Sequence, residues 1–324
     1  MHWRTVLSAT AAAGVVALGF AAPAQAQLST FCNGTASDVT VPGNLVVRAG
    51  ESCDLTNVTV DGHVTVRDGA DFIAEDTTIA GNLLVRDNGY ADTVGADIEG
   101  ALRLEAAYGA YVEESAVGTN SYSTDAGFMY SVKTDHAANV VSTNGETYLE
   151  SSVVGSNVRT EGDVITDAYD TWVAGNLRVT DAGQGAVLCT SEVDGSVNYI
   201  GNGGLVQVGA DGPLGGCATT YVGGNLRLVE NTADSFVSDN IVRGSLICQD
   251  NDPAPVGEDN RVRGNESGQC ADMDPAAAAS TMSSAEADAQ QVESRKQEIL
   301  DKIETRTTEG EEKAKVAGPA DIGN

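Results

Sequence analysis

Four groups of residues in this sequence have the types and spacing to do chemistry. Six cysteines fall in three sequential pairs, Cys32 and Cys53, Cys189 and Cys217, Cys248 and Cys270, with separations of 21, 28 and 22 residues. An even set with no C-x-x-C motif reads as disulfides rather than as a zinc or redox centre. Tyrosines gather in mid-chain at Tyr90, Tyr108, Tyr111, Tyr122, Tyr130, Tyr148 and Tyr169, close to Trp172. Facing outward, such rings suit the flat faces of sugars; facing inward, they are an internal stack. Tyr108, Tyr111, Tyr122, Tyr130 and Tyr148, together with His136, are the candidate ligand-binding residues. Arg48, Arg67 and Arg86 recur at equal steps, with Asp68 and Asp87 beside two of them. They read as a charge ladder, or as the basic group of a polysaccharide lyase.

Catalytic motifs are missing around these groups. The chain has no G-x-S-x-G, no P-loop and no H-E-x-x-H. No catalytic residue, metal ligand set or cofactor is therefore assigned. Gln249-Asp250-Asn251-Asp252 and Glu258-Asp259-Asn260 bring oxygen donors together, which makes calcium the one cation to consider. They lack the Gly-Gly-x-Gly-x-Asp calcium repeat, and read equally as solvated acidic turns.

The elements that must position these residues follow from an internal repeat. An aliphatic residue, any residue, a glycine, a polar residue, and then two aliphatics in alternation recur along the chain. Clear copies are Val41-Pro42-Gly43-Asn44-Leu45, Ile79-Ala80-Gly81-Asn82-Leu83, Val173-Ala174-Gly175-Asn176-Leu177 and Val222-Gly223-Gly224-Asn225-Leu226. Anchors from Gly43 to Gly264 step by 18 to 20 residues, with one step of 29. Thr119, Ala138 and Ser156 replace glycine in the middle copies. Two-residue alternation inside each copy predicts strands with one buried face. Polar corners such as Arg67-Asp68-Gly69 follow, where Asp, Asn and Gly tolerate left-handed backbone.

A unit of this length is one coil of a parallel β-helix, each coil stacking on the next at ~4.8 Å. The chain resembles right-handed parallel β-helix proteins: the pectate-lyase-like superfamily in architecture, and bactofilins in the short coil with aliphatic strands. The fold expected is all-β, a right-handed parallel β-helix of about twelve coils, followed by a C-terminal α-helical tail. Stacked coils make each cysteine pair vertical neighbours, so Cys32–Cys53, Cys189–Cys217 and Cys248–Cys270 are the expected bonds. Phe72, Tyr111, Phe128 and Tyr148 take similar coil positions and are expected to share a row. His136 falls in the inward aliphatic row.

Three regions follow. Residues 1–26 read as a signal peptide, with Arg4, an apolar stretch and Ala24-Gln25-Ala26 as the cleavage site. Residues 27–272 form the disulfide-stapled β-helix with an N-terminal cap. Residues 273–324 form the tail, where Ala285, Ala289, Val292, Ile299 and Ile303 follow helical spacing. A helix of about 20 residues ending near Gly310 is expected. It lies along the solenoid, binds a partner or stays free.

Composition narrows the function. With 47 acidic and 18 basic residues, the net charge is −29, which excludes a nucleic-acid partner. Beyond the signal no apolar run is long enough to span a membrane. The expectation is a secreted, non-enzymatic structural or adhesive rod of the bacterial envelope or extracellular space. A polysaccharide or an envelope component is the expected partner. Two alternatives stand beside it: a glycan-binding module using the central tyrosines, and a polysaccharide lyase-like enzyme.

Overall fold

The computed structural model describes residues 29–275 and 282–323. The expected export signal lies outside them. The chain winds as a parallel β-solenoid with three long sheets of 13, 11 and 12 strands, here called sheets A, B and C. Every pairing joins a strand to the equivalent strand one coil away, as in Leu83↔Leu102 of sheet A or Ile79↔Ile98 of sheet C. Sheet A has one strand more than the twelve anchored copies, because Ser29–Cys32 stacks on Asn44–Val47 ahead of the first full repeat.

Each coil runs through sheets A, B and C in turn. The expected alternation holds: Val41, Val60, Ile79, Ile98, Val117, Val154 and Val173 form a fully buried column on sheet C. Leu45, Leu83 and Leu102 do the same on sheet A. A narrow interior filled by Val, Leu, Ile and Ala accounts for the scarcity of aromatic residues.

The anchor glycines are dictated by a close approach between coils. A Cβ on Gly100 would lie 2.5 Å from both the Gly81 carbonyl oxygen and Asn82 Oδ1. The polar residue after the anchor is therefore part of a ladder. Asn44 Oδ1 accepts the His63 amide at 2.8 Å, His63 Nδ1 accepts the Asn82 amide at 2.8 Å, and Asn82 Oδ1 accepts the Ala101 amide at 2.8 Å. Asn139, Asn157, Asn176 and Asn225 continue it. His63 thus serves as an asparagine substitute. A second, buried ladder of hydroxyls links Ser115, Ser152 and Ser191 to amides of the preceding coil. The remaining corners turn through left-handed residues, among them Asp38, Asn57, Asp76, Asp125 and Asp170. Glu114, Lys133 and Thr190 hold the same conformation, a wider set of residue types than expected.

All three disulfides have the expected pairing, with Cα–Cα distances of 5.5, 5.0 and 5.1 Å. Cys32–Cys53 and Cys248–Cys270 lie near the two ends. Cys189–Cys217 fastens the excursion in the long step, which Gln207 also grips by two hydrogen bonds to the Leu214 backbone at 2.9 Å.

The C-terminal helix departs from expectation. It spans Met282–Ala317, 36 residues, and continues through Gly310. It lies on the outer face of sheet B and runs back towards the first coils. At one end Ala289 and Val292 pack with Leu205 and Leu214. In the middle Ile299 and Ile303 pack on Tyr90, Phe128, Tyr130 and Tyr148. Gly310 is kept because a Cβ there would meet Ile73 Cδ1 at 2.7 Å and Asp71 Cβ at 3.0 Å. Beyond the helix Thr35 is bonded on both sides: its amide donates to the Gly318 carbonyl at 2.9 Å, and its carbonyl accepts the Ala320 amide at 2.8 Å. Ile322 then enters the solenoid core at its N-terminal end.

Candidate functional site

Two outward faces carry the residues singled out by the sequence. On sheet B the central column runs Ile73, Asp92, Tyr111, Tyr130, Tyr148, Asp167, Val187 and Gln207. Tyr130 and Tyr148 stack with centroids 4.9 Å apart, and Tyr111 leans on Tyr130 at 6.0 Å. Tyr90, Tyr108 and Phe128 form a second group with edge and tilted contacts of 5.8 to 6.3 Å. These rings point away from the solenoid interior, yet Tyr90, Tyr130 and Tyr148 are only 0–1% exposed because the helix lies over them. Tyr108 and Tyr111 are half-buried at its margin. Tyr108 lines a cleft with Asn88, Phe128, Glu146, Ile299 and Lys302.

Phe72 does not share the row with Tyr111 and Tyr148. It faces inward, and Ile73 holds the outward position. A displacement of one residue moves a side chain to the opposite face of a strand. Phe128 belongs to the neighbouring outward group for the same reason.

Acidic residues alternate with the rings and meet cations of the helix. Arg295 pairs with Glu146, Lys296 with Glu150, and both Arg306 and Lys313 with Asp71. Thr307 donates to Asp92, whose carboxylate also accepts from Tyr90 at 3.1 Å. Asp167 differs from these. Neither of its oxygens has a hydrogen-bond partner among the described residues. Burial pushes its carboxyl up to about 8; Lys296 pulls it down, and Glu150, Glu293 and Glu146 raise it. At neutral pH this carboxyl therefore holds its proton.

Tyr122 is separate from the other candidate tyrosines. It lies on the outer face of sheet A, half-exposed, with the Arg103 guanidinium 4.7 Å from its ring centre. Arg48, Arg67 and Arg86 form the expected row along the same sheet. Arg86 pairs with Glu105 at 3.2 Å rather than with Asp87. Arg48 lies over the half-exposed Phe31 ring at 3.8 Å. Arg67, Asp68, Arg86 and Asp87 share a shallow cleft.

His136 is a core residue. It is fully buried, with Nδ1 2.8 Å from Ser121 Oγ and Nε2 3.1 Å from Ser131 Oγ. Burial lowers it to about 4, so it is neutral inside the solenoid. Asp163 is buried nearby and accepts from Ser142, Gly145 and Thr147 at 2.9–3.0 Å. The central coils are thus irregular because their interior is polar.

Two of the oxygen donors considered for calcium are committed elsewhere. Asn251 Oδ1 accepts from Asn231, and Asn260 Oδ1 accepts from Asn240. Among the described residues no group of three or more acidic, histidine or cysteine side chains has the geometry to hold a metal.

The acidic set beneath the helix, Asp71, Asp92, Glu146, Glu150 and Asp167, is not among the candidates read from sequence. The signal for it is the placement of acids at outward positions of sheet B against Arg295, Lys296, Arg306 and Lys313 at helical spacing.

No family model matches the chain, and neither a curated protein nor a solved structure does. The functional reading therefore rests on the molecule itself. Its fold and three disulfides are compatible with an extracellular protein, and no helix among the described residues is long and apolar enough to cross a membrane.

Proposed function

We propose that this protein is an exported, non-enzymatic rod with a structural or adhesive role in the bacterial envelope or extracellular space. The observation that supports this most is the way the solenoid is braced. The helix spans sheet B lengthwise, from the Leu214 excursion to the first coils, and Ile322 closes the N-terminal end of the core. Disulfides near both ends add covalent ties where terminal coils would otherwise fray. A reactive site needs an open, water-limited cleft with converging polar groups. Here the broad aromatic face is occupied by the chain's own helix, and Asp71, Asp92, Glu146 and Glu150 bond to that helix. The design favours rigidity over turnover.

The test is to incubate the exported chain with isolated envelopes and with purified acidic and neutral polysaccharides. Retention on one of these surfaces without release of shortened or unsaturated sugar supports the reading. Sustained glycan turnover, lost on Arg67→Ala or Arg86→Ala, would replace it with the lyase-like reading.

A glycan-binding role for the tyrosines is the second reading, and the margin of the helix is what favours it. Tyr108 and Tyr111 stay half-exposed there, next to the cleft that holds Lys302. Loss of glycan-array signal in Tyr108→Ala, with the fold intact, is the outcome that would support it.

A further inference from the structure

Charge is segregated between two faces of this rod. Eleven basic residues lie within positions 28–274, and seven of them are arginines on the outer face of sheet A. Arg48, Arg67 and Arg86 make one column. Arg103, Arg159, Arg178 and Arg227 make the adjacent one, in register through Tyr122, Val141 and Asn198. Among the described residues Glu105 and Glu161 pair with them, at 3.2 Å to Arg86 and 2.8 Å to Arg159, while Asp68 and Asp87 share a cleft with Arg67 and Arg86. All seven side chains are exposed.

The solvent side of the C-terminal helix has the opposite charge. Glu293, Glu298, Asp301, Glu304, Glu309 and Glu312 are exposed and recur every three to five residues. Among the described residues Lys302, which pairs with Glu298, and Lys315 are the cations on that side; Arg295, Lys296, Arg306 and Lys313 pair with carboxylates of sheet B. The two stripes run parallel to the same axis and match in length. From Glu293 to Glu312 the helix advances ~29 Å at about 1.5 Å per residue. From Arg103 to Arg227 the sheet advances six coils, also ~29 Å at about 4.8 Å each.

We infer that sheet A of one molecule docks the acidic side of the C-terminal helix of a second copy. The occupant is narrow, as the track requires. Two outward columns on a strand are ~7 Å apart, and the adjoining corner carries acids at Asp87, Asp125 and Asp181. A single helix ridge fits this track, whereas a wide polyanion would meet the flanking acids. The contact is heterologous: each molecule offers one donor face and one acceptor face. It therefore propagates sideways into rows of aligned rods. At −29, two copies repel one another generally, so only this complementary contact overcomes the repulsion. The inference deepens the structural reading above but is separable from it, since a monomeric rod can still adhere.

The test is sedimentation of the exported chain at moderate and high salt, with two charge-reversed variants. One is Arg103→Glu with Arg178→Glu; the other is Asp301→Lys with Glu304→Lys. Wild type is expected to associate with rising concentration, and to lose at least tenfold in affinity at high salt. Each variant alone should stay monomeric while melting like wild type. Mixed at equal amounts, the two should associate again, because each then supplies the face the other lacks. A wild type that stays monomeric throughout, variants that assemble unchanged, or a mixture that stays monomeric would each overturn the inference. Envelope retention by the monomeric variants separates this outcome from failure of the structural role.

Discussion

Asp167 gives the sharpest test of how the helix is held. Its carboxyl lies between Tyr148 and Val187 in its own column and feels the charges of Glu146 and Glu150 of the preceding coil and of Glu293 and Lys296 of the helix. The folded protein holds the proton up to about 8, against 3.8 for an ordinary aspartate. The folded state thus binds the proton more tightly than the unfolded state. The stabilising effect of protonation is fully present below pH 3.8 and is lost as pH rises through about 8. At about 1.4 kcal/mol per pH unit, the ceiling of the loss is ~6 kcal/mol. Water reaches the charged form once the helix lifts locally, so about 2–4 kcal/mol is the part an assay should read. Asp167→Asn keeps the shape and removes the titration. Urea unfolding of both proteins from pH 4 to pH 9 is the assay. The difference, variant minus wild type, should rise in favour of the variant across this range and level off above pH 8. A flat difference across the range would refute the argument that a proton holds this carboxyl under the helix.

Four further outcomes follow. His136 has the opposite sign to Asp167: burial lowers it from 6.5 to about 4, so stability present above pH 6.5 is lost as pH falls towards 4. Thermal melts should show an acid-side loss of up to ~3 kcal/mol, and His136→Gln should abolish that part of the slope. Gly100→Ala places a methyl 2.5 Å from the Gly81 carbonyl oxygen and should destabilise by about 1–3 kcal/mol in chemical denaturation. Truncation after Ala317 removes both Thr35 bonds and Ile322, so hydrogen exchange at the Thr35 amide should accelerate while that at Val206 is unchanged. Non-reducing peptide mapping should recover the three sequential disulfides, and reduction should cost roughly 3 kcal/mol for each.

The coil was readable because its packing rule is local. An inward aliphatic must return at the same phase of every turn, as Val41, Val60 and Ile79 do, and a glycine must return where Asn44 and Asn82 approach the next coil. The cysteine pairs were readable for the same reason, since a fixed coil length makes sequence separation a vertical distance. The seat of the helix was harder to read. Its buried stripe alternates apolar residues with Lys296, Arg306, Thr307 and Gly310, so hydrophobic periodicity fades after Ile303. The partners of those residues lie far away in the chain, at Glu150, Asp71 and Asp92. Gly310 looks like a helix terminator from sequence, but against Ile73 it is the residue that lets helix and sheet approach. The direction of the tyrosines was hidden by a single-residue ambiguity, the one that places Phe72 inside and Ile73 outside.

The three faces of the rod are differentiated, and their differences have one physical origin. In a solenoid each outward position is repeated along the axis, so a preference at one position becomes a column. Sheet B uses its columns for rings and carboxylates and spends them on the chain's own helix. That helix turns a face that is part aromatic into an acidic one, with Glu298, Asp301 and Glu304 outermost. Sheet A keeps its arginines for solvent. Docking of the helix thus does two things at once: it braces the rod and creates the surface complementary to sheet A. Anything that releases the helix removes the brace and the acidic ridge together. Loss of lateral association and exposure of Tyr130 and Tyr148 should then occur together, because both report the same helix leaving the same face.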